Sequence, residues 1–129
     1  MAGPDVRQMK AMAELYRADK DIPYETIHAV EGAKELGELT LKVLMVTKDF
    51  VVLKAKRGKG LIDPVHSHPD HESVAMLVYG RLKMKIGDKE FIAEEGDVWR
   101  HPPGVPHVSE ALEECVQIEI KSPATKTWS

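Results

Sequence analysis

His66-Ser67-His68-Pro69-Asp70-His71-Glu72 is the stretch from which the rest of this chain is best understood, because it gathers residues that bind metal ions. Three of its seven residues are histidines, whereas the whole chain of 129 residues contains six. Side chains at positions i and i+2 of a strand point to the same side, which would bring His66 and His68 together. Neutral imidazole is the commonest protein ligand for divalent transition metals. The stretch therefore predicts half of a metal site.

A second stretch, about 40 residues after His66, supplies another histidine at the end of a stiff loop. It reads Gly96-Asp97-Val98-Trp99-Arg100-His101-Pro102-Pro103-Gly104-Val105-Pro106-His107. Proline fixes the backbone angle φ, and glycine permits positive φ at tight turns. We therefore expect a rigid loop that presents His107 at a defined place.

Outside these two stretches, the chain after about residue 20 is rich in β-branched residues and punctuated by turn residues. Gly87-Asp88 separates two alternating segments, which is typical of a two-residue β-hairpin. Many short strands with regular turns indicate an all-β sandwich or barrel. The predicted strands cover residues 39–47, 50–56, 73–79, 82–86, 90–93, 97–100 and 115–121.

The N-terminal part has a different pattern. Residues 5–18 predict a short helix, with Asp5 as the N-cap and an apolar stripe at helical spacing formed by Val6, Met9, Ala13 and Tyr16. We therefore divide the chain into an N-terminal helical extension, residues 1–20, and a single barrel domain, residues 21–129. Residues 122–129 are expected to form a loose tail, in which Trp128 packs on a partner subunit.

The composition excludes several classes of function. A formal net charge of −3 argues against nucleic acid as a partner. The absence of an 18-residue apolar run argues against a membrane span. The first residues also lack the apolar run of a secretory signal, so we expect the protein in the cytoplasm. A hydrophobic content of 43% and a charged content of 30% are typical of a globular domain.

The two histidine stretches together resemble the paired motifs of the cupin superfamily. The first motif is glycine, five residues, His-x-His, three or four residues, glutamate, six residues and glycine, which matches the segment from Gly60 to Gly80. The second motif is glycine, five residues, Pro-x-Gly, two residues, histidine, three residues and asparagine. It matches the segment from Gly96 to His107. The resemblance implies an antiparallel jelly-roll β-barrel, here with a short N-terminal helix. It also implies that His66, His68 and His107 are metal ligands.

The chain departs from this pattern at two positions. The asparagine that ends the second motif falls at Ala111. The acidic ligand of the first motif is Glu72 when counted forward from His68, but the position is Ser73 when counted back from Gly80. The strand that follows is apolar on both faces and does not distinguish the two. We favour Glu72 as the fourth ligand, and a three-histidine site with Ser73 facing inward is the alternative.

A weaker resemblance connects the chain to the pectin-degradation cupins, which linearise unsaturated uronates. His66-Ser67-His68-Pro69 and Ser122-Pro123-Ala124 are similar to segments of that group. Its catalytic aspartate falls at Glu119, a phenylalanine at Lys121 and an arginine at Thr125, which leaves the uronate carboxylate without its arginine. Candidate catalytic residues here are Glu119, Lys121 and Arg100. Because Arg100 and His101 alternate along one strand, only one of them faces the barrel interior.

These observations predict a metal-binding cupin that acts on or recognises a small organic molecule, with a carbohydrate acid as one candidate. The expected cofactor is one divalent ion of iron, manganese, nickel, zinc or copper. If the protein is an enzyme, it is a metal-dependent isomerase or lyase, or else a dioxygenase. A sensing module without turnover is the further alternative. By analogy with small cupins we also expect a homodimer, with Phe50-Val51-Val52-Leu53 at the contact.

Overall fold

The computed structural model describes residues 7–129. Its strands confirm the predicted strands to within about one residue and add five that were not predicted. No helix in the described part of the chain is long and apolar enough to cross a membrane. The strands are β1 (Glu25–Thr26), β2 (Ala29–Val30), β3 (Ala33–Lys34), β4 (Leu39–Val46), β5 (Val51–Arg57), β6 (Ile62–His66), β7 (Glu72–Tyr79), β8 (Leu82–Ile86), β9 (Lys89–Ala93), β10 (Val98–His101), β11 (His107–Ala111) and β12 (Cys115–Ser122).

Two antiparallel sheets enclose the core. One sheet has six strands in the order β1-β4-β5-β12-β7-β10, and the other has four in the order β6-β11-β8-β9. A small hairpin of β2 and β3 stands beside them. The apolar side chains between the sheets include Val51, Leu53, Leu77 and Leu82, each at most 1% exposed. This arrangement confirms the prediction of an all-β antiparallel jelly roll.

The β8–β9 hairpin shows why the alternating pattern was informative. Leu82 and Met84 are buried, whereas Lys83 and Lys85 between them are exposed. Ile86 pairs with Lys89 across the two-residue turn, and Gly87 in that turn has a φ of 55°. Positive φ is what such a turn requires, so the Gly87-Asp88 prediction is confirmed.

The predicted N-terminal helix is absent from residues 8–18, and a single 3₁₀ turn over Asp19–Asp21 is the helical element that follows. The backbone N–H of Met9 donates to Ala124 at 2.8 Å, and that of Met12 donates to Val46 at 2.9 Å. These bonds hold the segment extended along the barrel, so tertiary pairing overrides helix propensity. Asp5 and Val6 of the predicted cap and stripe lie outside the described residues.

The C-terminal tail is also packed, in contrast to the loose end expected from the sequence. Trp128 is 6% exposed, and its Nε1 donates to a carboxylate oxygen of Glu25 at 2.9 Å. The backbone of Ser129 bonds to His28 and Ala29. Trp128 therefore packs within its own chain and not, as expected, on a partner subunit. The tail also lines the cavity described below.

The segment expected at a dimer contact is only partly on the surface. Val51 and Leu53 are 0% and 1% exposed because they face the core of their own domain. A larger apolar surface lies on the outer face of the six-stranded sheet. Its members are between 42% and 65% exposed, and they are Val74, Met76, Val78, Val98 and Ile120.

Candidate metal centre

Strand pairing brings together the three histidines that the motifs predicted. His66 ends β6, His107 begins β11, and the antiparallel register places these two residues opposite each other. His68 follows two residues after β6. The ring centroid of His66 lies 4.3 Å from that of His107 and 5.0 Å from that of His68. One ring nitrogen of each histidine lies within 4.8 Å of the others, which suits three ligands of one ion.

Hydrogen bonds determine which nitrogen of two rings is free. His66 Nδ1 donates to the carbonyl oxygen of Pro64 at 2.8 Å, and His68 Nδ1 donates to Glu31 Oε2 at 2.7 Å. Both partners are acceptors, so each Nδ1 carries the proton and each Nε2 keeps its lone pair. Histidine ligands of metal ions commonly donate their second nitrogen in this way. The two rings are therefore prepared to bind a metal through Nε2.

Burial favours the uncharged form of two of these histidines, His68 and His107. It lowers the pKa of His107 to about 3, with the neighbouring His101 adding to the effect. Burial also holds the pKa of His68 far below its ordinary value, and the ammonium of Lys121 acts in the same direction. Imidazole binds metal only in its neutral form. A set of three imidazole nitrogen donors fits a divalent ion of the first transition row with open coordination positions.

The structure does not bring Glu72 to these histidines. The Glu72 side chain is 50% exposed and lies 3.8 Å from Arg100, itself 65% exposed, on the outer face of the barrel. Ser73 is 1% exposed and faces inward, because side chains alternate along β7. The geometry thus favours the three-histidine alternative with Ser73 inside. Arg100 likewise stands away from the interior, on the face opposite His101.

Glu119 and Lys121, in contrast, lie inside the barrel beside the histidines. Lys121 is paired in register with Ser73, which in turn is opposite His101. Lys121 Nζ lies 3.5 Å from Glu119 Oε2, and the two side chains are 4% and 14% exposed. Burial alone would raise the pKa of Glu119, but Lys121 and His101 outweigh burial and hold it below its ordinary value. The interior thus holds an ionised acid–base pair.

These groups line one internal cavity of about 50 Å³ between the two sheets. One water molecule needs roughly 10–15 Å³ measured in this way, so the cavity has room for an ion and a few small oxygen ligands. Both charged and apolar side chains surround it. The polar residues at its wall include His66, His68, His101, His107, Glu119 and Lys121.

The two remaining histidines of the region have partners of their own. Trp99 Nε1 donates to His101 Nε2 at 3.1 Å, so this nitrogen is occupied. The His101 ring lies 3.9 Å from the His107 ring between centroids and supports it by packing. His71 Nδ1 donates to Asp70 Oδ1 at 2.9 Å. Neither His71 nor His101 belongs to the three-histidine cluster.

Four polar residues near the site were not predicted from the sequence. Glu31 contacts His68, Asp63 lies 3.4 Å from His66, and Arg57 lies 3.9 Å from Asp63. Burial raises the pKa of Glu35 to about 9, and the neighbouring Asp63 acts in the same direction. In the sequence these four positions show only as charged residues within β-rich segments. Such a pattern does not indicate which distant residue each of them contacts.

Comparison with known proteins shows what this geometry is similar to. The profile of the Cupin_2 family, described as a cupin domain, matches residues 56–116, which carry all three histidines. Oxalate decarboxylase OxdC of Bacillus subtilis is 30% identical over 95 residues, a match covering 70% of this chain. The chain spans only 24% of the length of that relative.

Solved structures show the same fold. An RmlC-like cupin from Shewanella frigidimarina superposes with a TM-score of 0.75 and 23% identity, over 87% of this chain and 93% of its own. KdgF from Halomonas sp. superposes with a TM-score of 0.63 and 23% identity, over 66% of this chain and 78% of its own. Residues 56–116, which include the three histidines, thus match a cupin domain, and the jelly roll around them has the fold of solved cupin structures.

Proposed function

We propose that the chain binds one divalent metal ion through His66, His68 and His107 and acts at that ion on a small organic acid. The reaction is a proton transfer of the isomerase or lyase type. The observation that carries the proposal is the convergence of three imidazoles beside the buried pair of Glu119 and Lys121.

Three nitrogen ligands leave coordination positions open for the oxygens of a bound acid. When bound, the ion acts as a Lewis acid that polarises a carbonyl or carboxylate oxygen. The bonds from His66 to Pro64 and from His68 to Glu31 orient the two imidazoles before the ion arrives. The chain thus supplies a preorganised set of ligands.

Lys121 and Glu119 supply complementary chemistry. Lys121 is the cationic side chain beside the histidines, so it is the group that can pair with a carboxylate of the ligand, in addition to Glu119. Lys121 holds the pKa of Glu119 below its ordinary value, and this attraction weakens when Lys121 pairs with the ligand, so that Glu119 becomes a stronger base toward a proton of the bound acid. Lys121 therefore binds the carboxylate of the ligand, and Glu119 acts as the base.

Two observations support a small acid as the substrate class. The cavity of about 50 Å³ leaves little room beyond an ion and a few atoms. The relative from Bacillus subtilis is named for the decarboxylation of oxalate, a small organic acid. Carbohydrate acids belong to the same chemical class through their carboxylate, and they would need the cavity to widen on binding.

Metal content tests the ligand assignment. We expect elemental analysis of the purified protein to find close to one transition-metal ion per chain. His66→Ala and His107→Ala should each lower this content strongly, because a metal-binding nitrogen is lost. His28→Ala is the matched control, since this histidine is exposed and does not belong to the cluster. Unchanged metal content in a His66→Ala/His107→Ala double variant would overturn the assignment.

Turnover tests the reaction class. Incubation with small dicarboxylates that carry a C–H bond, and with unsaturated uronates, should give a product from at least one of them by NMR without oxygen consumption. Glu119→Gln should abolish turnover and keep the metal. Oxygen uptake with product formation would identify a dioxygenase instead, and tight ligand binding without product would identify a sensing module.

We also propose a homodimer in the cytoplasm, as the sequence predicted. The outer apolar face of the six-stranded sheet, which includes Val74 and Met76, is the surface we assign to the contact. Light scattering should then give twice the chain mass of 14.4 kDa. A Met76→Asp variant should give the monomer mass, whereas Ile92→Asp, on the other sheet, should not.

A further inference from the structure

The turn between β2 and β3 contains an unusual backbone conformation. Glu31 has a φ of 51°, and it is the only residue other than glycine with positive φ among residues 7–129. It shares the two-residue turn with Gly32, whose φ is 77°. Hairpin turns with two positive φ values strongly prefer Asn-Gly, Asp-Gly or Gly-Gly. A glutamate in this conformation costs of order 1 kcal/mol in backbone strain. Contacts of its side chain must therefore offset this cost.

The side chain of Glu31 is almost fully enclosed by specific partners. It is 11% exposed and receives a hydrogen bond from His68 Nδ1 at 2.7 Å. The guanidinium of Arg7 contacts both of its oxygens, with Nη1 to Oε1 at 2.8 Å and Nη2 to Oε2 at 2.8 Å. Arg7 also lies 3.4 Å from Asp70, which accepts the hydrogen bond of His71. The strained turn thus delivers a carboxylate to one histidine of the metal cluster.

Glu31, His68 and His71 also lie close enough to form a second cation site. The position of Arg7 argues against that interpretation. Its guanidinium already occupies both oxygens of Glu31, and a second cation beside it would be repelled. The short contact between Glu31 and His68 is instead the distance of a charge-assisted hydrogen bond. The cluster therefore holds a proton on His68 rather than a second metal ion.

We infer that Glu31 is a positioning residue of the metal centre, which fixes the tautomer and orientation of His68 and is itself held in place by Arg7. The inference rests on the proposed function, because His68 must be a metal ligand for this to matter. It adds a residue outside both histidine motifs. It also makes the N-terminal segment a part of the site, since Arg7 belongs to that segment.

The first test measures the His68 ring directly in the metal-free protein. Long-range ¹H–¹⁵N NMR should show His68 with its proton on Nδ1 in the unaltered chain. Glu31→Asn suits the turn, because asparagine tolerates positive φ, but it shortens the side chain and removes the carboxylate. We expect this variant to stay folded and to show a mixture of both tautomers at His68, with His66 unchanged. A pure Nδ1–H form in the variant would overturn the inference.

The second test measures affinity for Co²⁺ or Zn²⁺ by competition with a chelator. Glu31→Asn should weaken binding about 10- to 100-fold, as is typical for a partner of a metal-bound histidine. Arg7→Met should weaken it less, because Glu31 keeps its own bond to His68. Glu90→Gln is the matched control on an exposed strand position and should change nothing.

The outcomes separate the two proposals. If the unaltered chain binds no metal that depends on His66 and His107, the proposed function fails, while the tautomer test still decides the contact of Glu31 with His68. If the unaltered chain binds one ion and Glu31→Asn binds it equally well, the role of Glu31 fails alone. A stoichiometry of two ions that falls to one in Glu31→Gln would also overturn the inference, since Glu31 would then be a ligand.

Discussion

At the scale of single residues, the interior depends on charges that neutralise each other. Lys121 is 3% exposed, and Glu119 is its counter-ion at 3.5 Å. Breaking such a pair by removing one partner leaves an uncompensated buried charge, whereas removing both can cost little.

The pair can be tested by a double-mutant cycle. Lys121→Met keeps the length of the side chain and should lower the free energy of unfolding by about 3–5 kcal/mol. Glu119→Gln in the same chain should recover part of that loss, because the orphaned carboxylate disappears. Urea unfolding of the metal-free protein measures all four forms. Simple additivity of the two single effects would show that the residues do not interact.

Only some residues of this site could be predicted from the sequence. His66, His68 and His107 could be predicted because their spacing follows a recognisable motif. Glu31 could not, since 37 residues separate it from His68 and only the hairpin brings them into contact. Glu72 and Ser73 could not be distinguished, because Val74, Met76 and Val78 make the outer face of β7 as apolar as its inner face.

At the scale of elements, the strands were predictable and the two ends of the chain were not. Alternation in β8 and the Gly87-Asp88 turn are local signals that need no knowledge of the rest of the fold. Residues 8–18 have helix-favouring composition, but their backbone groups pair with Val46 and Ala124, which are distant in sequence. Tertiary pairing therefore determines the conformation of both the N-terminal segment and the tail.

The turn between β7 and β8 offers a test at this scale. Gly80 has a φ of 98°, and a Cβ atom there would meet the carbonyl oxygen of Glu114 and the backbone of Cys115. Gly60 has a similar φ of 87° with nothing within 4 Å of the added atom. Gly60→Ala should cost about 1–2 kcal/mol from backbone strain alone. Gly80→Ala should cost about 1–3 kcal/mol more, from overpacking.

Thermal or urea unfolding of the two glycine variants gives the comparison directly. Because both substitutions add one methyl group at positive φ, the difference between them isolates the steric contact with Glu114 and Cys115. Equal destabilisation would mean that this turn relaxes freely.

At the scale of the whole molecule, burial of uncharged histidines predicts sensitivity to acid. Burial lowers the pKa of His101 to about 4 and that of His107 to about 3, whereas an unfolded histidine titrates near 6.5. Below about pH 6.5 the unfolded chain therefore binds more protons than the folded chain, and stability falls as pH falls. The loss continues until the pH reaches the folded-state values.

The free energy of unfolding of the metal-free protein should thus decrease between pH 6.5 and about pH 4, by up to about 1.4 kcal/mol per pH unit for each such histidine. Urea unfolding at a series of pH values in the presence of a chelator measures this slope. His101→Gln should reduce the slope, because one titrating group is removed. A pH-independent stability across this interval would contradict the burial of neutral imidazoles.

The position of β12 has a consequence for how the molecule folds. This strand lies between β5 and β7, and Lys121 pairs with Val51 across about 70 residues of chain. Contacts over such separations make folding slow, of the order of milliseconds to seconds. Glu119 and Lys121 reach the histidines only when β12 inserts between its two neighbours. The insertion of β12 therefore completes the binding site and the centre of the larger sheet together, and a chain in which β12 is not in place has neither.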